Sequence, residues 1–546
     1  MSRTERWLFG VAAVAAVISL IALGGILLNR LTIVVPARGG EYVEGAVGQP
    51  TFVNPVLAAS DIDRGLVRLL FAPLTDLADS ADASANGRTW KVRLKENLRW
   101  SDDRKITSDD VIFTVERLQD PEARSPFFSS WQGITVSRLS ELELQFNLAN
   151  PYPFFKTNLS NLYVIPKHLF ADTPAANWRL SDYILRPVGS GPFVFNAYDK
   201  EANGFIGAYR MNANPRYFNG APYLSRFTVR FFPKTEDLIA AFNTGAVDGL
   251  ASLTPETMGR VNRSYNVWPF VIPSYYAVFF NQSQNLALKE SAVRTALDIS
   301  VDRNVIRDEV FGGEATTVAG PAGGTRDFSA GGGWAPGANP IRAGEILDAA
   351  LWLKTEDGRR EKKIKTAVIR LEFELTVPAI PSLEKSAALL AKQWEALGVR
   401  VSVRTLTPEE IADQVIKNRD YQAILFGNFL NPPGDLYAFW HSNERFYPGS
   451  NLALYSNKKA DGILENIRRD FDAESRARQL DELSGIIATD APAVFLYSPS
   501  YLYVASKDLR GVGLGSQDTG TGTISEPADR YRNVSAWHVK TTRALK

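Results

Sequence analysis

Two hydrophobic periods alternate along most of this chain, and that alternation restricts its fold more than any other feature. Glu141–Leu148 puts Leu142, Leu144, Phe146 and Leu148 on one face and Glu141, Glu143, Gln145 and Asn147 on the other, the period of a half-buried strand. Trp90–Lys95, with Trp90, Val92 and Leu94, repeats the pattern, as does Val399–Arg404 with its three valines. Elsewhere the period is helical. Thr107 and Asp110 make a capping-box pattern ahead of Val111, Val115 and Leu118. Leu383, Ala387, Leu390, Trp394 and Leu397 form one stripe that stops at Gly398. Thr407-Pro408-Glu409-Glu410 combines a cap, a proline at the first helical position and an acid three residues on. Strands and helices interleaved in this way predict an α/β fold. Residues 312–340, with Gly331-Gly332-Gly333, show neither period and are expected to form a long surface loop or excursion within a domain.

The 546 residues have room for three or four units of ~150 residues. The first of the chain is of another kind. Trp7–Leu28 is 22 residues without a charge, preceded by Arg3 and Arg6. As a helix it would rise ~33 Å, enough for a hydrocarbon core of ~30 Å. A removable signal peptide has a shorter apolar region and a small-residue cleavage site, and Val35-Pro36-Ala37 is a poor one. The expectation is therefore an uncleaved single-pass anchor over residues 1–38 with the body on the extracytoplasmic side; the alternative is a secreted or periplasmic body after cleavage. Arg30 and Arg38 follow the apolar run and blur the charge asymmetry that would orient it.

The residue inventory removes most chemistry. There is no cysteine, which excludes disulfides, zinc–thiolate sites, iron–sulfur clusters and thiol nucleophiles. The only three histidines, His168, His441 and His538, lack metal-ligand spacing, so no metal and no cofactor is expected. Neither a Gly-x-Ser-x-Gly elbow nor a phosphate-binding loop occurs, and the Gly511–Gly515 run does not complete a dinucleotide fingerprint. The pair Asp109-Asp110 is explained by the positive end of a helix dipole. Lysines and arginines number 61 against 60 acids, a balance that gives nucleic acid no basic surface to bind. What remains abundant is aromatic: 30 Phe, 19 Tyr and 11 Trp, suited to a core or to a ligand cavity. A binding protein rather than an enzyme is expected.

Seven landmarks then occur in order. Thr107-Ser108-Asp109-Asp110-Val111, after the strand Trp90–Leu94, resembles the Thr-Ala-x-Asp-Val helix start of the family 5 extracellular solute-binding proteins, the dipeptide- and oligopeptide-binding group, although Asp102-Asp103 stands where that group has Asp-Gly. Gly189-Ser190-Gly191-Pro192-Phe193, Asn214–Gly220 and Gly245-Ala246-Val247-Asp248 are similar to its next elements. Phe279-Phe280-Asn281 with Val293–Leu297 and Val301-Asp302-Arg303, then Leu397-Gly398-Val399, then Ala491-Pro492, continue the resemblance.

The resemblance implies a two-lobed, type II periplasmic-binding-protein architecture that closes over its ligand, in a monomer that serves an ABC importer through permease subunits. It implies lobe I over 39–73, 185–277 and 495–546, an extra subdomain over 74–184, and lobe II over 278–494, with crossings near Tyr276–Asn281 and Val494–Ser498. The implied ligand is a peptide or similar extended solute. An oligosaccharide or other small solute, or sensing in place of transport, are the alternatives. The segment that anchors the ligand's ammonium in dipeptide binders corresponds to Gly427–Asp435, where Asn431 stands near the usual aspartate and only Asp435 keeps a charge. The implied ligand-binding candidates are Asn281, Asn428, Phe429, Asn431, Asp435 and Trp440.

Overall fold

The computed structural model describes residues 2–251, 253–323, 337–513 and 522–546. Two hydrophobic bodies share one large mixed sheet. In the first, Glu41–Val47 runs parallel to Arg226–Phe232 and to Gly249–Leu250, with Ile206–Ala213 and Phe193–Lys200 adding antiparallel strands outward. In the second, Glu372–Pro378 lies parallel to Arg400–Leu406 and to Ala423–Phe429, which is antiparallel to Ser274–Phe280.

One strand belongs to both bodies. Ala493–Ser506 pairs with Ser274–Phe280 through its first residues and with Tyr265–Val271 and Gly249–Leu250 through its last. The chain crosses a second time between Val271 and Ser274. At this double crossing the Ser274 and Ser498 hydroxyls lie 3.2 Å apart, and each reaches the Ile272 carbonyl. Pro499 and Ser500 are the two residues of the long strand that are not buried.

A separate four-stranded sheet, Ala78–Ala83, Thr89–Leu94, Glu143–Asn147 and Thr135–Arg138, sits beside the first body. Its inward residues Trp90, Val92, Leu144 and Phe146 join the same continuous core as Tyr42, Leu69 and Trp537. The second body has its own cores, one around Val278, Leu375, Trp394 and Leu496, another around Phe279, Ile424, Trp440 and Phe495.

The local expectations hold at these elements. The capping box at Thr107 and Asp110 forms, with the Thr107 N–H donating to Asp110 Oδ2 at 2.9 Å, and the helix runs Ser108–Leu118. The stripe from Leu383 lies on helix Pro381–Ala396, and Gly398 turns the chain with φ +93° into the next strand. The loop expected over 312–340 needs correction where it is described. Ala315–Thr317 forms a strand against Tyr497–Pro499 of the crossing strand, too short to show a period of its own. Gly331–Gly333 lies outside the described residues.

At the start of the chain a helix spans Arg3–Leu31 and leads into Thr32–Ala37, a strand paired with Lys540–Leu545. Its side chains are described without a break only over Trp7–Ile21. Among the described residues no helix is long and apolar enough to cross a membrane.

The landmark residues turn out to build the scaffold. A Cβ on Gly189 would fall 1.9 Å from the Leu70 carbonyl oxygen, and one on Gly191 2.6 Å from the Leu70 carbonyl carbon, so both glycines permit a close approach. Between them Ser190 Oγ accepts from the Ala72 N–H at 3.0 Å, and the Asn214 amide donates to the Gly191 carbonyl at 2.9 Å, tying two landmarks together. Buried Arg294 donates to the carbonyls of Leu288, Lys289, Asp490 and Ala491, closing the end of helix Ala473–Asp490. Arg303 does the same for the Phe495 carbonyl of the crossing strand, at 2.6 Å.

Candidate ligand-binding cleft

A cavity of about 160 Å³ lies where the two bodies and the four-stranded sheet's unit meet. Helix Asp61–Leu70 supplies one wall. Its 3.6-residue period puts Arg64 and Val67 on the cavity side, and Ser60 caps it by accepting from the Asp63 N–H. Opposite stand Trp131, Asn158 and Tyr163, and the second body contributes Asn431 and Pro432. The cavity therefore draws its wall from both sides of the crossing.

The charges on that wall balance. Arg64 pairs with Glu526 at 3.0 Å, and Arg68 lies 3.6 Å from the same carboxylate while also pairing with Asp529. The Arg68 guanidinium sits 4.9 Å from the Tyr163 ring centroid. Tyr163 lines the cavity, and its buried hydroxyl has no hydrogen-bond partner among the described residues. Burial raises its pKa, against the opposing pull of Arg68, so it stays a neutral donor.

The six sequence candidates divide sharply. Asn431 lines the cavity. Phe429, 56% exposed, ends its strand opposite Ser274 at the crossing. Asn428 and Trp440 instead turn into the second body, where both donate to the Tyr275 hydroxyl, at 2.8 and 3.0 Å. Asn281 is buried, donating to the Arg419 carbonyl at 3.0 Å and accepting from the Ser283 hydroxyl at 2.6 Å.

Asp435 also has its partners. Arg468 Nε donates to both of its carboxylate oxygens, at 2.8 and 3.0 Å, and the Tyr152 hydroxyl donates at 2.8 Å. Its carboxylate is thus held in an internal ion pair with Arg468. Arg64, Tyr163 and Glu526 were not legible as cleft residues. Arg64 could have been suspected from the Arg64–Val67–Arg68 face of an amphipathic helix, but nothing in the sequence places Glu526 beside it.

Similar proteins share this architecture. The Listeria monocytogenes ABC transporter substrate-binding protein CtaP superposes with a TM-score of 0.76 at 22% identity, over 92% of this chain and 99% of that one. The Bacillus subtilis oligopeptide-binding protein AppA, solved with a nonapeptide, gives 0.68 at 23% identity, over 93% and 100%. These likenesses establish the two-domain α/β periplasmic-binding-protein fold. By sequence, AppA of Bacillus subtilis (strain 168) is 25% identical over 502 residues, 87% of this chain and 89% of that protein. The probable D,D-dipeptide-binding periplasmic protein DdpA of Escherichia coli (strain K12) is 23% identical over 496 residues, 87% and 88%. The model of the bacterial extracellular solute-binding proteins, family 5, matches residues 72–447, most of the chain, and with the fold and the shared cleft now in view, it is to this family that the chain belongs.

Proposed function

We propose that the chain is the extracytoplasmic substrate-binding component of an ABC importer and captures peptides or similarly extended solutes by closure of its two lobes, handing them to permease subunits without chemical change. The observation that carries this reading is the cavity walled by both bodies, since ligand contacts to both sides favour the closed form. The relatives named for oligopeptides and dipeptides support the ligand class. An open strand edge supports it further. Ala423–Phe429 pairs along one side throughout, but on the other, among the described residues, only Ala423 and Ile424 have ladder partners, leaving Leu425–Phe429 able to receive an extended backbone. The balanced wall charges suit a ligand of no net charge, zwitterions included.

In this reading lobe I comprises 39–73, 185–272 and 500–546 with 74–184 attached, and lobe II 274–498, so the crossings fall a few residues from the spans the resemblance implied, before Tyr276 and after Ser498. The change of pairing partners supports hinge points at Ile272–Ser274 and Ser498–Ser500. The protein acts as a monomer. The N-terminal helix is its membrane anchor: the charge-free stretch Trp7–Leu28 is long enough, and Trp7, Leu8, Phe9, Ile18, Leu20 and Ile21 are mostly exposed, a surface water does not favour.

Mass spectrometry of compounds released on denaturing the full-length protein, gently isolated from its native host, tests the ligand class. Heterogeneous peptides are expected. A single non-peptide compound or a sugar series would overturn the peptide assignment and leave the binding fold intact. If the protein emerges empty, a thermal-shift screen of peptides and sugars decides in the same way.

A further inference from the structure

The two ends of the described chain meet in a ribbon with an unusual composition. Thr32–Ala37 pairs antiparallel with Lys540–Leu545, from Thr32 opposite Leu545 to Ala37 opposite Lys540, and the Lys546 N–H extends the ladder to the Leu31 carbonyl at 3.0 Å. Every residue of both strands is exposed or half-buried. A two-stranded ribbon with neither face covered is marginal at best in water. Its apolar residues are nonetheless outward: Leu31, Ile33 and Val34 are about half exposed and Leu545 is 81% exposed.

Its charge is one-signed. Residues 30–40 and 539–546 contain Arg30, Arg38, Lys540, Arg543 and Lys546 and no acid, in a chain whose net charge is +1. Within the ribbon, Arg543 donates to the Thr32 hydroxyl at 3.0 Å, which holds its guanidinium near the helix end. Apolar side chains interleaved with cations, continuous with an apolar helix, fit the headgroup region of a bilayer carrying anionic lipid.

We propose that this ribbon is a membrane-surface element, in which Val34 and Leu545, which the register puts on one face with Arg543, enter the headgroup boundary and the five cations hold anionic phospholipid. It rests on the reading of the N-terminal helix as an anchor and adds a function to it. Six paired residues span ~20 Å, so a docked ribbon fixes how the body stands on the membrane in a way a single flexible linker could not. Arg30 and Arg38, which blurred the orienting asymmetry, gain a role on the extracytoplasmic side.

The absence of cysteine makes the test clean, because one introduced thiol is the only label site. The full-length protein carrying Thr541→Cys, labelled with an environment-sensitive dye, is reconstituted into vesicles of phosphatidylcholine with or without phosphatidylglycerol. A Leu20→Cys protein reports separately on the helix. The expected result is a blue-shifted Thr541 signal only with phosphatidylglycerol. It should be reversed on going from ~0.1 to ~1 M salt, where the screening length falls from about 10 to about 3 Å. Lys540→Gln and Arg543→Gln should each lower the docked-to-undocked ratio roughly fivefold. A Thr541 signal equally water-like in both lipids, with the Leu20 probe in the bilayer, overturns the ribbon proposal and leaves the anchor standing. A Leu20 probe that stays in water while Thr541 responds to anionic lipid overturns the anchor and supports surface binding by the ribbon.

Discussion

The Tyr152 hydroxyl donates a 2.8 Å hydrogen bond to Asp435 Oδ2, joining two residues 283 positions apart and on opposite sides of the cleft. Around it Arg468 stacks on the Tyr437 ring at 4.1 Å, Arg476 lies 5.6 Å from the Phe154 centroid, and Trp90 faces Phe471 at 6.5 Å. Burial and the neighbouring carboxylate both push the Tyr152 pKa up, so the hydroxyl remains a donor at any physiological pH. Three of these contacts, Tyr152–Asp435, Phe154–Arg476 and Trp90–Phe471, join the two sides and exist only while these are together.

Tyr152→Phe should therefore weaken ligand binding by favouring the open form. A hydrogen bond to a charged group contributes about 1.5–3 kcal/mol, of which partial solvation here leaves roughly a 3- to 10-fold loss in affinity. Small-angle scattering should show a matching expansion of the ligand-free protein. Unchanged affinity and an unchanged radius would show that these contacts do not govern closure.

Asp435→Ala should cost more than Tyr152→Phe, because Arg468 loses its carboxylate as well. The decisive feature is ligand dependence. With its charge already taken by Arg468, Asp435 contributes equally to the capture of cationic and neutral ligands. Calorimetric titration with a peptide and its amino-acetylated form should give the same ratio before and after substitution. A selective loss for the free-amino peptide would restore Asp435 as an ammonium anchor.

Tyr163→Phe separates stability from binding. Removing a buried hydroxyl that has no partner among the described residues should raise the melting temperature, by the equivalent of about 1 kcal/mol. The same change should reduce affinity several-fold for any ligand that accepts from this hydroxyl. Ligand affinity that survives intact would mean that the hydroxyl faces water and not ligand.

Arg294→Met should destabilise without touching recognition. Four backbone carbonyls lose their donor, and a cost of roughly 2–4 kcal/mol follows from leaving them buried and unpaired. Burial lowers the Arg294 pKa and Asp490 partly restores it, yet the group remains a cation. Denaturant unfolding measures the loss. A large change in affinity at temperatures where the variant is folded would contradict the scaffold role.

Asp103→Gly should stabilise. Asp103 adopts φ 74°, the left-handed turn conformation that favours glycine, and its one ion pair among the described residues, to Arg216, is largely exposed. Relief of the backbone strain, about 0.5–1 kcal/mol, outweighs that pair. A fall in the unfolding midpoint would assign the Arg216 contact more weight than its exposure allows.

What the amino-acid order determined by itself was local. Period-two and period-3.6 patterns placed strand Glu143–Asn147, helices Ser108–Leu118 and Pro381–Ala396, and the cap and glycine that bound them, because these depend on neighbours a few residues away. Ordered landmarks were enough to identify the family, and the glycines and buried arginines among them hold the scaffold. Which side chains line the cavity was decided by tertiary structure alone. Asn428, Phe429, Asn431 and Asp435 are adjacent in sequence, yet one turns into the core, one is exposed at the crossing, one lines the cavity and one is consumed by an arginine 33 residues away. The cavity joins Arg64 to Glu526, and no local period relates residues that far apart: their meeting depends on a strand shared by two bodies, a long-range pairing that only the folded chain creates.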